Sequence, residues 1–260
     1  LWYNRGRAAD GVLTAQKEEP VYRGQRISVV IPCFNEEHGL RHVLAGMPAY
    51  VDEVIVVDNN STDETARVAA ELGATVIFQG RKGYGNAYQA GLPAATGEIV
   101  ATVDGDGTYP ADAIAPIVDH MLDRGLDFVS ASRFPLHERR AMRTRNVVGN
   151  KILTYTFRAL YLRWVADSQS GMWVFRRACL RDVRPTQPGM AFSEEIKIEA
   201  LQAPGLRFGE YHIRYTERIG ETKLYPWRDG VANLLFLFRR RLGRLAAAPA
   251  PVPEPAISDQ

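Results

Sequence analysis

The chain has 260 residues, 46% of them hydrophobic and 24% charged, with a formal net charge of +2; this buries one sizeable core and sits at the upper end of a single domain. Two cysteines, Cys33 and Cys179, exclude a disulfide framework, neither has metal-ligand spacing, and a reducing cytoplasm is the simpler compartment. No apolar run reaches the roughly 18 to 20 residues that span a bilayer, and Leu1-Trp-Tyr-Asn-Arg lacks the pattern of a signal peptide, so the expectation is a soluble or peripheral protein.

Residues 1–25 show no periodicity and are expected to form an N-terminal arm. Strand and helix patterns then alternate: strand 27–31, helix 37–47, strand 53–57, helix 62–72, strand 75–78, helix 84–95, strand 99–103, helix 111–123 and strand 127–132. Alternation of this length predicts an α/β fold with a mostly parallel sheet flanked by helices. Ser61 and Glu64 have capping-box spacing, which predicts the start of the second helix just beyond Asp58. His38 and His42 are four apart on a helix, as zinc ligands can be, but no third ligand follows, and a solvated helix face is the simpler reading.

Polar residues gather where the strand patterns end. The apolar run Ile99–Val103 leads straight into Asp104-Gly105-Asp106-Gly107. Mg²⁺ or Mn²⁺ favours such hard carboxylates when it also bridges substrate phosphates, so the implied ligand is a nucleotide diphosphate. An Asp-Gly turn between strands would carry the same letters. Two earlier strand ends, Pro32-Cys-Phe-Asn-Glu36 and Asp58-Asn-Asn-Ser-Thr-Asp63, are equally polar, and open α/β sheets bind ligands along that edge.

With these stretches stand Arg81-Lys-Gly-Tyr-Gly-Asn86, Ser132-Arg133, Asp167-Ser-Gln-Ser-Gly171 and Arg218-Ile-Gly-Glu-Thr-Lys223. Over about residues 26–225 the chain resembles the family 2 glycosyltransferases of the GT-A (Rossmann-like) fold. The branch it most resembles is that of the polyprenyl-phosphate glycosyltransferases, to which dolichol-phosphate mannose synthase belongs. The resemblance divides that span into a nucleotide-binding half, 26–134, and an acceptor-binding half, 135–225.

The roles that follow are implied by the resemblance. Pro32, Asn35, Glu36, Asp58 and Asn59 form the nucleoside pocket, Lys82 approaches the base or the sugar phosphates, and Asp104, Gly105 and Asp106 meet the diphosphate and its Mg²⁺ or Mn²⁺. Arg218 and Lys223 lie on a segment that closes over the donor phosphates. Arg133, Gln169, Ser170 and Glu195 face the acceptor, with Asp167 beside the sugar. Asn59 departs from the mannose-synthase pattern, which has a second acidic residue there; an amide suits uracil better than guanine and tilts the donor towards a UDP-sugar over GDP-mannose.

From Arg139 to Ala166 there are seven positive side chains and no carboxylate, a block that belongs near lipid headgroups or phosphates. Nucleic acid ranks lower, because no recognisable nucleic-acid-binding module accompanies the charge. Residues 146–165 interleave apolar and cationic side chains as an amphipathic helix does, and residues 227–245 do so again. Both suit a membrane interface, and the resembling family places an interfacial helix here. This pattern makes residues 226–245 an expected C-terminal amphipathic helix, and the Pro/Ala-rich residues 246–260 are expected to be a disordered tail.

The expected activity is thus an inverting, metal-dependent transfer of one hexose or N-acetylhexosamine to a polyprenyl phosphate at the cytoplasmic membrane face. A lipid phosphate is its own nucleophile, with a second pKa of about 6. A soluble enzyme acting on a hydroxyl of a peptide, glycan or secondary metabolite would instead need a base, for which Asp167, Glu194 and Glu195 are the candidates. A non-catalytic nucleotide-sugar or lipid-binding module is disfavoured by the presence of both metal carboxylates and phosphate cations.

Overall fold

The computed structural model describes residues 21–220 and 226–246. The first 20 residues, the expected tail beyond Ala246 and Lys223 lie outside the described residues.

Seven strands form one sheet: β1 (Ile27–Cys33), β2 (Glu53–Asp58), β3 (Thr75–Phe78), β4 (Ile99–Thr102), β5 (Phe128–Ser132), β6 (Trp173–Arg176) and β7 (Phe208–His212), in the order β3-β2-β1-β4-β6-β5-β7. All pairings are parallel except those of β6, which runs antiparallel to both β4 and β5. Among the described residues seven α-helices flank the sheet: α1 (Glu37–Ala45), α2 (Thr65–Glu71), α3 (Tyr84–Gly91), α4 (Ile114–Asp123), α5 (Thr144–Tyr161), α6 (Phe192–Gln202) and α7 (Pro226–Ala246). This is the expected mostly parallel α/β fold.

The core forms because the central strands are apolar on both faces. Val29 and Ile31 of β1 pack with Leu40 and Val43 of α1 and with Ile114, Ile117, Val118 and Met121 of α4, whose i, i+3, i+4, i+7 spacing makes a single buried stripe. On the opposite face Val30 packs with Tyr88 of α3, Trp173 of β6, and Phe192 and Ile196 of α6. Pro32 is tolerated in this central strand because it lies past the last β1–β4 pair, Val30 with Thr102.

The capping-box expectation is corrected. Helix α2 starts at Thr65, and neither Ser61 nor Glu64 caps it. The Ser61 hydroxyl accepts the Asn35 N–H at 2.9 Å, tying the β1 loop to the β2 loop, while Glu64 pairs with Arg67. Asp63 accepts the Thr65 N–H instead, at 3.0 Å. Satisfying the inter-loop contact outweighs the local cap.

Helices α5 and α7 pack on each other through Phe157, Tyr161, Phe236 and Leu237, and the Tyr161 hydroxyl donates to the Leu237 carbonyl at 3.3 Å. Both expected amphipathic helices therefore exist, and each keeps an exposed apolar stripe. Val148, Ile152 and Tyr155 stand on α5; Trp227, Val231, Leu235, Phe238 and Leu242 stand on α7, with Trp227 83% exposed. Among the described residues no helix is long and apolar enough to cross a membrane.

Candidate active site

The parallel strands β1, β2 and β4 end along one sheet edge, and their loops bring the polar motifs together there. Gly105 and Gly39 make this possible. A Cβ on Gly39 at the start of α1 would lie 2.5 Å from the Gly105 carbonyl, and one on Gly105 would lie 2.6 Å from Cys33 Sγ. Only glycine allows the aspartate loop to sit this close to α1.

Asp104 is held by the Tyr84 hydroxyl, which donates to Oδ1 at 3.2 Å. Burial, and then the neighbouring charge of Asp106, push the Asp104 carboxyl up to about 7. The Oδ1 of Asp106 accepts the Thr108 N–H and hydroxyl at 3.0 and 2.7 Å, and its Oδ2 accepts Arg218 Nη1 at 2.6 Å. The other arm of Arg218 reaches Glu36, while its Nε is buried with no partner among the described residues. Two carboxylates crowded at a buried strand end form a hard-oxygen donor set that matches Mg²⁺ or Mn²⁺.

At the end of β2 Asp58 accepts the Ser61 N–H at 3.1 Å through Oδ1. Asn35 accepts the Thr62 N–H at 2.7 Å and staples the two loops. Lys82 lies over the Phe34 ring, 4.2 Å from its centroid. Asn59 needs a correction. Its amide donates to the Gln79 and Arg81 carbonyls at 3.0 and 2.8 Å, and its oxygen accepts the Gly83 N–H at 2.7 Å. The side chain holds the glycine-rich loop, so its tilt towards uracil as a base-reading amide no longer stands.

A cleft of about 400 Å³ opens beside Asp106. Its wall includes Arg133, Arg140, Arg143, Arg145 and Arg218, together with Gln169 and, from α7, Asn233. The three arginines from 140 to 145 belong to the cationic block seen in the sequence, which gave them no individual role. Arg133 forms a bidentate pair with Asp167, Nε to Oδ2 at 2.7 Å and Nη2 to Oδ1 at 2.9 Å, both side chains being buried. Burial alone would raise the Asp167 carboxyl; the charge and hydrogen bonds of Arg133 outweigh it and hold it below the usual carboxylate range.

Ser170 and Glu195, expected at the acceptor, do not line this cleft. The carbonyl of buried Ser170 accepts Lys197 Nζ at 2.6 Å. Glu195 is fully buried, accepts the Thr186 and Gln187 N–H groups at 2.7 and 2.6 Å, and pairs with Arg240. It anchors the loop whose Gln187 carbonyl abuts Gly85. Glu194 is buried against Gln169, and desolvation pushes its carboxyl well up. Early acidic positions on a helix favour the dipole, and here they also serve as internal braces.

Lys197 belongs to none of the sequence motifs. It is fully buried on α6 and donates to the Ser168 and Ser170 carbonyls, and burial pushes its ammonium down to about 7 amid Asp167, Arg133, Glu210 and Glu194. Between that value and the ordinary lysine range the unfolded chain holds the extra proton, so stability at this position rises with pH. The stability of the wild type relative to Lys197→Met is therefore expected to increase from pH 7 to pH 10. Urea unfolding of both proteins at the two pH values reads this; a pH-independent difference would contradict it.

Residues 28–184 match the family described as Glycosyl transferase family 2. An uncharacterised glycosyltransferase of Mycobacterium tuberculosis is 39% identical over 200 residues, 76% of this chain and 88% of that protein. A dolichyl-phosphate hexose transferase of Haloferax volcanii is 34% identical over 214 residues, covering 81% and 92% of the two chains. Among solved structures, glucosyl-3-phosphoglycerate synthase from Mycobacterium tuberculosis, in complex with Mn²⁺, UDP-glucose and phosphoglyceric acid, superposes with a TM-score of 0.66 at 25% identity, covering 88% of this chain and 82% of that one. With the sheet order, the aspartate pair and these similarities in place, the chain is a glycosyltransferase and belongs to glycosyl transferase family 2.

Proposed function

We propose that this enzyme transfers one hexose or N-acetylhexosamine from a UDP-sugar to a polyprenyl phosphate at a membrane surface, with inversion at the anomeric carbon. The observation that carries the reading is the arginine-walled cleft beside Asp106, framed by α5 and α7 with their exposed apolar stripes. Arginines suit bidentate phosphate contact, and an apolar helix face flanked by cations suits a lipid interface. The dolichyl-phosphate acceptor in the name of the Haloferax relative supports the acceptor class, and the UDP-glucose bound by the structural neighbour supports the donor.

In this reading Asp104 and Asp106 hold Mg²⁺ or Mn²⁺, which when bound supplies Lewis-acid neutralisation of the departing nucleotide diphosphate. Arg218 exchanges its carboxylate partners for donor phosphate, joined by Lys223. Asp58 and Glu36 receive the nucleoside, and Lys82 lies along its approach. Arg133, fixed by Asp167, and Arg140, Arg143 and Arg145 orient the acceptor phosphate. That phosphate attacks the anomeric carbon, the bond to the diphosphate breaks, and no base is required because the nucleophile is already ionised. A hydroxyl acceptor is less well supported. Asp167 is committed to Arg133 and held a weak base, and neither Glu194 nor Glu195 lines the cleft.

The test is transfer of labelled sugar from UDP-glucose, UDP-N-acetylglucosamine and GDP-mannose to a detergent-dispersed polyprenyl phosphate, with Mn²⁺ or EDTA. Metal-dependent product in the lipid phase from a UDP-sugar is expected. Donor turnover with no lipid product across several prenyl lengths would overturn the acceptor assignment, and product from GDP-mannose alone would overturn the donor.

A further inference from the structure

Helix α7 lies beyond residues 28–184, the part of the chain that matches the family, yet it supplies a side chain to the cleft wall. Asn233 is 5% exposed and donates from Nδ2 to Gln169 Oε1 at 2.8 Å. Gln169 in turn donates from Nε2 to Glu194 Oε1 on α6 and to Ser168 Oγ. The amide of Gln169 is therefore clamped from two helices at once, and its orientation is fixed.

Gln169 is the middle of the Asp167–Gly171 turn, and that turn touches both halves of the site. At one end Asp167 grips Arg133. At the other end Gly171 donates its N–H to the Tyr109 hydroxyl at 2.7 Å and its carbonyl accepts Thr102 Oγ1 at 2.9 Å. A Cβ on Gly171 would lie 2.1 Å from the Tyr84 hydroxyl that holds Asp104. A shift of the turn displaces the cation at the acceptor cleft and crowds the metal carboxylate together.

We propose that Asn233 is a positioning residue for sugar transfer: through Gln169 it sets the Asp167–Gly171 turn, and this makes α7 part of the catalytic unit. The proposal rests on the reading of the arginine-walled cleft as the acceptor site. It gives α7 a second task besides presenting its apolar stripe: the helix that faces outward with Trp227 and Leu235 faces inward with Asn233. The required chemistry is a hydrogen-bond donor at position 233. Asparagine supplies one, glutamine keeps it, and aspartate offers only acceptors to Gln169 Oε1.

Two measurements test this on the full chain. The first is hydrogen exchange of the backbone amides in residues 167–172, which needs no acceptor. Asn233→Ala is expected to speed exchange there about fivefold, the loss equivalent to one neutral hydrogen bond, and to leave residues 53–58 of β2 unchanged. Unchanged exchange in the turn overturns the proposal whatever the acceptor proves to be. The second is transfer to polyprenyl phosphate alongside UDP binding in the presence of Mn²⁺. Asn233→Ala and Asn233→Asp should lower kcat about tenfold, with UDP affinity within about twofold of wild type, while Asn233→Gln recovers most of the rate. The Gln169→Ala and Asn233→Ala losses should not multiply in the double variant, because the two side chains act as one unit. Wild-type kcat in Asn233→Ala, or equal loss of UDP binding and kcat, overturns the proposal. A wild type that passes no sugar to lipid overturns the acceptor reading instead, and hydrogen exchange in the turn then decides the role of Asn233.

Discussion

Asp104→Asn and Asp106→Asn each lower kcat/KM by about 10³-fold, the effect of losing several kcal/mol of leaving-group stabilisation, while thermal stability does not fall for Asp104→Asn. The two halves of this expectation come from one arrangement. Asp104 is half-buried, its charge is opposed by Asp106, and its described hydrogen bond is a 3.2 Å contact from the Tyr84 hydroxyl. An uncharged amide of the same shape removes the repulsion and the desolvation cost together. Asp106 is different, because Arg218 leans on it. Its replacement removes one of the two carboxylates that Arg218 pairs with among the described residues, so a modest loss of stability accompanies the loss of rate. Steady-state kinetics and thermal melts on the same preparations check both. Retained turnover in either variant would remove the aspartates from the metal-binding role, and a large drop in melting temperature for Asp104→Asn would mean that its charge is structurally required.

Asp167→Asn destabilises the fold by about 3–5 kcal/mol, because it strands the Arg133 guanidinium in a buried site without its counter-charge. For a domain of this size that is a drop of about 6–20 °C in melting temperature. Exposed pairs such as Arg23 with Asp119 give no comparable effect, being solvated and screened. The paired replacement Arg133→Met with Asp167→Leu restores most of the stability, since a packed apolar pair avoids desolvating two charges. Transfer stays abolished in the double variant if Arg133 serves the acceptor phosphate. Denaturant unfolding with a transfer assay separates the two roles: recovery of stability and activity together would make the pair a scaffold element only.

The first half of the fold was legible in the sequence because its central strands β1 and β4 are buried on both faces and its helices on one. The runs Ile27–Ile31 and Ile99–Val103 and the stripe in α4 are strong periodic signals, and the strand and helix expectations up to Ser132 fall within a few residues of the structure. The antiparallel strand β6 and the edge strand β7 were missed. Trp173–Arg176 is only four residues long and follows a polar turn, and β7 is half-buried without clean alternation. The structure places Asp104, Asp106 and Arg218, singled out by their motifs, side by side at one strand end, because opposite charges beside glycines at a buried strand end draw together. Asn59 and Glu195 were misread for a shared reason: a polar side chain that satisfies backbone groups in a distant loop looks the same in sequence as one that awaits a ligand. Only coordinates show that the Asn59 amide is spent on Gln79, Arg81 and Gly83. Lys197 and Asn233 gave no sequence signal, since their importance lies in carbonyl and amide groups about 30 and 60 positions away in the chain.

The reversed direction of β6 has a consequence for how such enzymes diversify. Every parallel strand reaches the ligand edge with its exit, but β6 reaches it with its beginning, so the Asp167–Gly171 turn arrives at the aspartate pair from the opposite chain direction. The whole excursion from Arg133 to Met172, helix α5 included, is thereby suspended between two fixed anchor points on neighbouring strands. Its length and composition can change without shifting the register of β1, β2 or β4. In the proposed function the stretch between Arg133 and Asp167 receives the acceptor, so selection can remodel it while the ends of β1, β2 and β4 stay in place.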